Sequence, residues 1–146
     1  MTVDASSHET FPAGLRDKAA AALAAARGKN IRIATAETVT AGLVSACLTS
    51  VSGASSTFER GFVLYHDSAK ATGLGVAKEV SARHGAVSAE VTRALAEGAL
   101  RESGAGVAVA VTDGVWVIDG VRVTDGVRVT DGVGDWVGVS VGLRVS

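Results

Sequence analysis

The chain has 146 residues, which is enough for one domain with a core of ordinary size. Its 14 basic and 15 acidic residues leave a net charge of -1, so the chain offers no basic surface of the kind that binds nucleic acid or an anionic membrane. The single cysteine, Cys47, excludes an internal disulfide, and His8, His66 and His84 lack the spacing of metal ligands. We therefore expect neither a metal nor another cofactor.

The amino-terminal segment is polar and lacks the basic-then-apolar order of a signal peptide. The mean hydropathy of +0.32 comes from Ala and Val spread along the chain, and no stretch approaches the roughly 20 apolar residues that cross a bilayer. These features predict a cytoplasmic protein. We expect a disordered lead-in over residues 1–10, followed by a single domain over residues 11–146.

Predicted helices and strands alternate along the first three quarters of the chain. Pro12 suits the first turn of a helix because its φ is fixed, and Ser88 and Gly104 are typical of the start and end of another helix. Helices are predicted at 15–27, 40–51, 68–74, 77–84 and between Ser88 and Gly104, and strands at 31–36, 61–65 and 107–111. The strand at 61–65 is apolar throughout, which predicts a buried strand. The alternation predicts an α/β fold, a layered α/β/α domain with a central mixed or largely parallel sheet.

An Asp-Gly pair recurs every six residues over positions 113–133, beginning at Asp113 and Gly114. Asp-Gly favours the tight type I′ turn, so the repeat predicts a meander of four-residue strands in an otherwise irregular carboxy-terminal part. A recently expanded repeat without a selected role is an equally good interpretation. A hexapeptide β-helix is a weaker one, because four repeats cannot build its stacked coils.

Several motifs before the repeat resemble those of the CinA C-terminal domain family, whose members are nicotinamide-nucleotide amidases. Residues 35–42 are similar to that family's Thr-Ala-Glu-Ser-Cys-Thr-Gly-Gly segment, and residues 52–58 to its Pro-Gly-Ser-Ser segment. Residues 61–65 followed by Lys70 resemble its Gly-x-Val-x-Tyr-Ser-Asn-x-x-Lys motif. The resemblance extends over about residues 14–112, also taking in 84–88 and 108–112.

The resemblance implies hydrolysis of the amide of nicotinamide mononucleotide to the acid by a Ser/Lys dyad. Ser55 would be the nucleophile and Lys70 its base, with Tyr65 assisting. The substrate would be bound by residues at the strand ends and in the turn after the first strand, namely Glu37, Thr38, Thr40, Gly42 and Thr112. A lysine acts as a base only when neutral, which burial favours. The turn at 38–42 precedes a helix, whose amino terminus suits a nucleotide phosphate.

Three functions stay open at this point. The first is the amidase, with a small-molecule nucleotide as its partner. The second is a CinA-like module that binds nucleotide or assembles without catalysis, since Asp67 and the repeat replace the family's usual residues. The third is a structural protein whose Val-rich repeat pairs with another copy, because exposed short strands favour edge pairing and a homo-oligomer.

Overall fold

A computed structural model of the chain describes residues 10–113, 115–120 and 132–134, with side chains over residues 10–113. Its helices are α1 (Ala13–Gly28), α2 (Leu43–Thr49), α3 (Asp67–Leu74), α4 (Lys78–His84) and α5 (Ala89–Ser103). Its strands are β1 (Ile33–Glu37), β2 (Phe58–Val63), β3 (Val107–Thr112), β4 (Val115–Gly120) and β5 (Gly132–Gly134). The predicted lead-in over residues 1–10 lies outside the described residues except for Thr10.

The strands form one mixed sheet in the order β2-β1-β3-β4-β5. Strand β1 runs parallel to β2 on one side and to β3 on the other, whereas β4 and β5 are antiparallel to their neighbours. Helices cover both faces of the sheet. The predicted α/β fold with a layered, mixed sheet is therefore confirmed.

Side chains of β1 point alternately into two separate cores. Ala34 and Ala36 pack with Leu74 and Leu95, from α3 and α5, on one face. Ile33 packs on the other face with side chains of α1 and α2 that include Leu23 and Leu48. Small residues on β1 let the helices approach closely, and burial on both faces is typical of the central strand of a parallel sheet.

The ends of α5 agree with their predicted signals. The Ser88 hydroxyl accepts a hydrogen bond from the Val91 amide at 3.2 Å, as an N-cap does. Gly104 follows the helix with φ 67°, the left-handed conformation that glycine adopts without strain.

The structure corrects the predicted buried strand at 61–65 in two respects, its first residue and its burial. Strand β2 begins earlier, at Phe58, and is the edge strand of the sheet. Its side chains are half-buried or exposed, and Val63 is among the exposed ones. An edge strand has a neighbour on one side only, so an apolar run does not by itself make it buried.

The predicted meander of four-residue strands is also corrected. Thr112 of β3 pairs with Val115 of β4, which leaves two residues between the paired strands, as a tight turn requires. Strand β4 then continues for six residues through Asp119 and Gly120, which pair with Ala108 and Val107 instead of turning. Strand β3 is six residues long, so it pairs with β4 as far as the second Asp-Gly pair and keeps that pair in the strand. The middle of the repeat, residues 121–131, lies outside the described residues.

Candidate active site

Seven of the eight predicted site residues, all except Ser55, lie at the carboxyl edge of the parallel strands. Thr38 directly follows β1, Thr112 ends β3, and Tyr65 and Lys70 follow β2. Parallel neighbours bring their carboxyl ends to the same edge, and in open α/β sheets ligands bind there, where the strand order reverses. The reversal falls at β1, which connects to β2 on one side and has β3 on the other.

Lys70 is the most deeply buried cation of this edge. It lies in the first half of α3, and only 5% of the residue is exposed. Its Nζ donates a hydrogen bond to Asp67 Oδ1 at 3.0 Å, and within residues 10–113 the ammonium has no other hydrogen-bond partner. A charge at this depth is costly unless it is paired, so Asp67 accounts for how the fold tolerates it.

Tyr65 has the opposite environment. Its side chain is 79% exposed in the segment between β2 and α3. Three other large apolar side chains are exposed at the same edge, namely Val39, Leu43 and Val63. An exposed aromatic ring at an edge that also exposes apolar side chains is a suitable surface for a planar ligand.

Thr38 and Thr112 are both buried at the ends of adjacent strands. The backbone amide and the hydroxyl of Thr38 both donate to the carbonyl of Val111, at 3.1 and 3.2 Å. The hydroxyl of Thr112 shares a 2.8 Å hydrogen bond with that of Thr92 on α5. Thr92 was not among the residues predicted from the sequence, although its position four residues after the Ser88 cap places it on the helix turn that faces this edge.

Glu37 is held by the protein itself. Its carboxylate is fully buried and accepts hydrogen bonds from the Thr40 hydroxyl (2.7 Å), the Val44 amide (3.0 Å), and the amide (2.8 Å) and hydroxyl (2.5 Å) of Ser45. Burial acts to raise the pKa of Glu37, but the hydrogen bonds from Ser45, Thr40 and the Val44 amide outweigh it and lower the pKa. Glu37 is therefore ionised and anchors the turn.

The hydrogen bonds of Glu37 also correct the predicted phosphate position at the amino terminus of helix α2. Helix α2 begins at Leu43, with Gly42 as its N-cap, later than the predicted start near Thr40. Its first free amides, those of Val44 and Ser45, already donate to Glu37. The carboxylate is an anion that satisfies the donors a phosphate would use. Glu37, Thr40 and Gly42 thus shape the turn at this edge.

Ser55 lies at the amino ends of the parallel strands, opposite the carboxyl edge. It belongs to a short 3-10 turn, Ala54–Ser56, directly before β2, whereas Lys70 comes after β2. The strand alone, from Phe58 to Val63, spans about 17 Å. Ser55 and Lys70 thus lie beyond opposite ends of β2, and the Ser55 hydroxyl has no hydrogen-bond partner among the described residues.

A surface cleft of about 320 Å³ opens where α3 and α4 begin. Asp67 is one of its lining residues, with His66, Ser68, Lys78, Ser81 and Ala82. The carboxylate that holds Lys70 is therefore also reached from this cleft.

Within the described part of the chain, no group of three or more His, Cys, Asp or Glu side chains could hold a metal ion. Nor does any of the helices there have the length and apolar character needed to cross a membrane.

The model of one protein family, the CinA C-terminal domain, matches residues 15–115. A CinA-like protein of Akkermansia muciniphila is 52% identical to the chain over 84 residues. That match covers 58% of this chain and 20% of the relative, so the chain corresponds to a small part of the relative's length.

Solved structures agree with these matches. The competence/damage inducible protein CihA of Agrobacterium tumefaciens superposes with a TM-score of 0.75 at 29% identity, covering 86% of this chain and 81% of that one. The competence damage-inducible protein A of Klebsiella pneumoniae gives a TM-score of 0.74 at 23% identity, with 86% and 83% of the two chains covered. At 23% identity, the likeness to the Klebsiella protein supports the fold alone.

Proposed function

The chain belongs to the CinA C-terminal domain family, and from this premise we propose that it is a cytoplasmic amidase that converts nicotinamide mononucleotide to nicotinate mononucleotide and ammonia. The single observation that carries the proposal is Lys70, a lysine with 5% of its surface exposed at the carboxyl edge, where open α/β sheets bind ligands. A buried lysine at an edge that suits ligand binding is a candidate base.

The reaction needs a hydroxyl and a base on the same side of the sheet. Ser55 is the nucleophile that the family resemblance implies, yet it precedes β2. Within one chain, Thr38 is one of the threonines whose hydroxyls lie at the same edge as Lys70, and it follows β1, between the ends of β2 and β3. Its hydroxyl donates to the Val111 carbonyl, so this hydrogen bond has to open before Lys70 can take the proton, while the lone pairs are free to attack. We therefore favour Thr38 over Ser55 as the nucleophile of a single chain.

The chemistry proceeds in two halves. The hydroxyl oxygen attacks the amide carbon while neutral Lys70 takes the hydroxyl proton. The carbon–nitrogen bond then breaks, and ammonia leaves with the proton that Lys70 returns. Water attacks the resulting ester with Lys70 again as base, which releases the carboxylic acid and restores the hydroxyl. In this proposal the exposed ring of Tyr65 lies against the pyridine ring of the substrate.

The test is ammonia release from nicotinamide mononucleotide by the purified protein. Lys70→Met keeps the length and removes the base, so activity should fall at least about a hundredfold. Thr38→Val keeps the shape and removes the hydroxyl, and Ser55→Ala removes the other candidate. Thr49→Val, on the exposed side of α2, is the matched control for loss of a threonine hydroxyl.

The variants separate the outcomes. Loss of activity in Thr38→Val but not in Ser55→Ala supports a site within one chain, and the reverse supports a site that includes Ser55. Turnover that survives Lys70→Met would contradict the proposal.

The alternative function is a nucleotide-binding module without catalysis. The Asp67–Lys70 ion pair favours it, because it engages the only buried lysine of the described residues. Calorimetry that detects binding of nicotinamide mononucleotide, with no ammonia released, would support this alternative.

A further inference from the structure

We propose that Asp67 is a positioning residue that restrains Lys70, so that replacing Asp67 by the neutral, isosteric Asn makes Lys70 a better base. The inference rests on the proposed function only for its effect on turnover. Its first step, the restraint on the lysine amine, stands on the geometry of α3 alone.

The two residues form an ion pair across one helical turn. Lys70 follows Asp67 by three residues, the spacing at which side chains of a helix meet. The Lys70 side chain is 7% exposed and that of Asp67 51%. Asp67 also lines the cleft between α3 and α4, so the more exposed partner of the pair is open to solvent while the ammonium is buried.

A general base needs a free lone pair on nitrogen. The contact at 3.0 Å is between an ammonium that donates a proton and a carboxylate that accepts it, so the nitrogen is engaged by its partner. Among the described residues, no other ion pair reaches Lys70, so the charge balance at this nitrogen depends on Asp67 alone. Replacing the carboxylate by an amide of the same volume exchanges this ion pair for a weaker, neutral hydrogen bond and releases the amine for reaction.

Substitution by Asn is also a mild change for the fold. Asp67 is the first residue of α3, and the helix start is already capped by the His66 side chain, which accepts a hydrogen bond from the Ser68 amide at 3.2 Å. The amide oxygen of Asn can still accept a hydrogen bond from Lys70. A gain of reactivity would therefore not follow from a damaged helix.

The experiment measures the amine directly. The folded protein is treated with cyanate, which reacts with neutral amines, and carbamylation of Lys70 is followed by peptide mass spectrometry against Lys29 and Lys78 in the same sample. We expect Asp67→Asn to raise the Lys70 rate about fivefold, the effect of losing a partly exposed ion pair. Asp67→Glu keeps the charge within reach and is the matched control, with a rate close to that of the wild type.

A rate in Asp67→Asn within about twofold of the wild type would overturn the inference, as would an equal rise in Asp67→Glu. Ammonia release from nicotinamide mononucleotide forms the second arm, in which kcat should rise with the amine's reactivity while KM stays unchanged. Faster carbamylation without turnover in any variant would confirm the restraint and count against the proposed substrate. A kcat that falls while carbamylation rises would overturn the role of Asp67 as a restraint on catalysis.

Discussion

The carboxylate of Glu37 accepts hydrogen bonds from both the amide and the hydroxyl of Ser45, at 2.8 and 2.5 Å. The two residues are eight positions apart and join the end of β1 to the first turn of α2. Ser45 also contacts the Thr35 hydroxyl at 2.7 Å. This polar cluster fixes the turn over residues 38–42 at the carboxyl edge.

Glu37 makes folding stability depend on acid. Its pKa is lowered in the folded protein from an ordinary 4.5, so its contribution is complete above pH 4.5 and is lost as the pH falls through the lower folded-state value. Glu37→Gln should cost about 2 kcal/mol at pH 7, since it breaks hydrogen bonds to a buried charge. Urea unfolding between pH 3 and pH 7 checks both effects. The variant's loss should shrink toward pH 3, and an equal loss at every pH would contradict the assignment.

Ala41 adopts a backbone conformation that suits glycine. Its φ is 50°, in the left-handed region, which strains a residue with a Cβ. Ala41→Gly should therefore stabilise the protein by about 1 kcal/mol. Thermal unfolding monitored by circular dichroism provides the measurement. The same substitution at Ala46, inside α2, is the control and should destabilise by about 1 kcal/mol.

Gly61 leaves room for the polar cluster under β2. A Cβ at this position would overlap Ser45 Oγ and lie 2.9 Å from Thr35 Oγ1. Gly61→Ala should cost about 2 kcal/mol, because both hydroxyls are held by hydrogen bonds and cannot move away freely. Gly14→Ala is the matched control, since a Cβ at Gly14 would have no atom within 4 Å among the described residues apart from its chain neighbours and its own helix backbone. If the two variants unfold at the same urea concentration, the cluster is not as closely packed as described.

Arg27 bridges the turn that carries Ser55. Its guanidinium donates to the Gly53 carbonyl at 3.1 Å and to the Thr57 hydroxyl at 3.4 Å, on either side of the serine. Arg27→Met keeps the aliphatic stem and should speed hydrogen exchange of the Thr57 amide about threefold, as expected for losing hydrogen bonds of a partly exposed group. Thr57 exchange that matches the wild type would show that the turn holds without the arginine. The amide of Ala110, in β3, serves as the internal reference.

Much of the fold was readable from residue patterns. Ser88 and Gly104 marked the ends of α5 because capping depends on local residues. The start of α2 was not readable in the same way. The turn at Ala41 and Gly42 is held by Glu37 through contacts that exist only once α2 has packed against β1.

The position of Ser55 shows a different limit. If the strand started at Gly61, residues 56–60 would form a loop long enough to return Ser55 toward Lys70. The predicted strand therefore allowed the predicted contact between these two residues. The observed strand starts at Phe58, since the parallel register pairs it with Ile33. Because the strand begins three residues earlier than predicted, that loop is too short to return Ser55 toward Lys70. Edge strands carry weak burial patterns, which is why their first residues are difficult to predict.

The length of β2 also has a consequence for genetics. Substitutions beyond its two ends, such as Ser55→Ala and Lys70→Met, affect residues that are separated by the whole strand within one chain. If activity needs both residues, each site must draw them from two different chains, and a mixture of the two inactive variants would recover part of the activity. If one chain suffices, the mixture gains nothing over its more active component. Complementation between two defective copies thus shows whether the active unit is one chain or two.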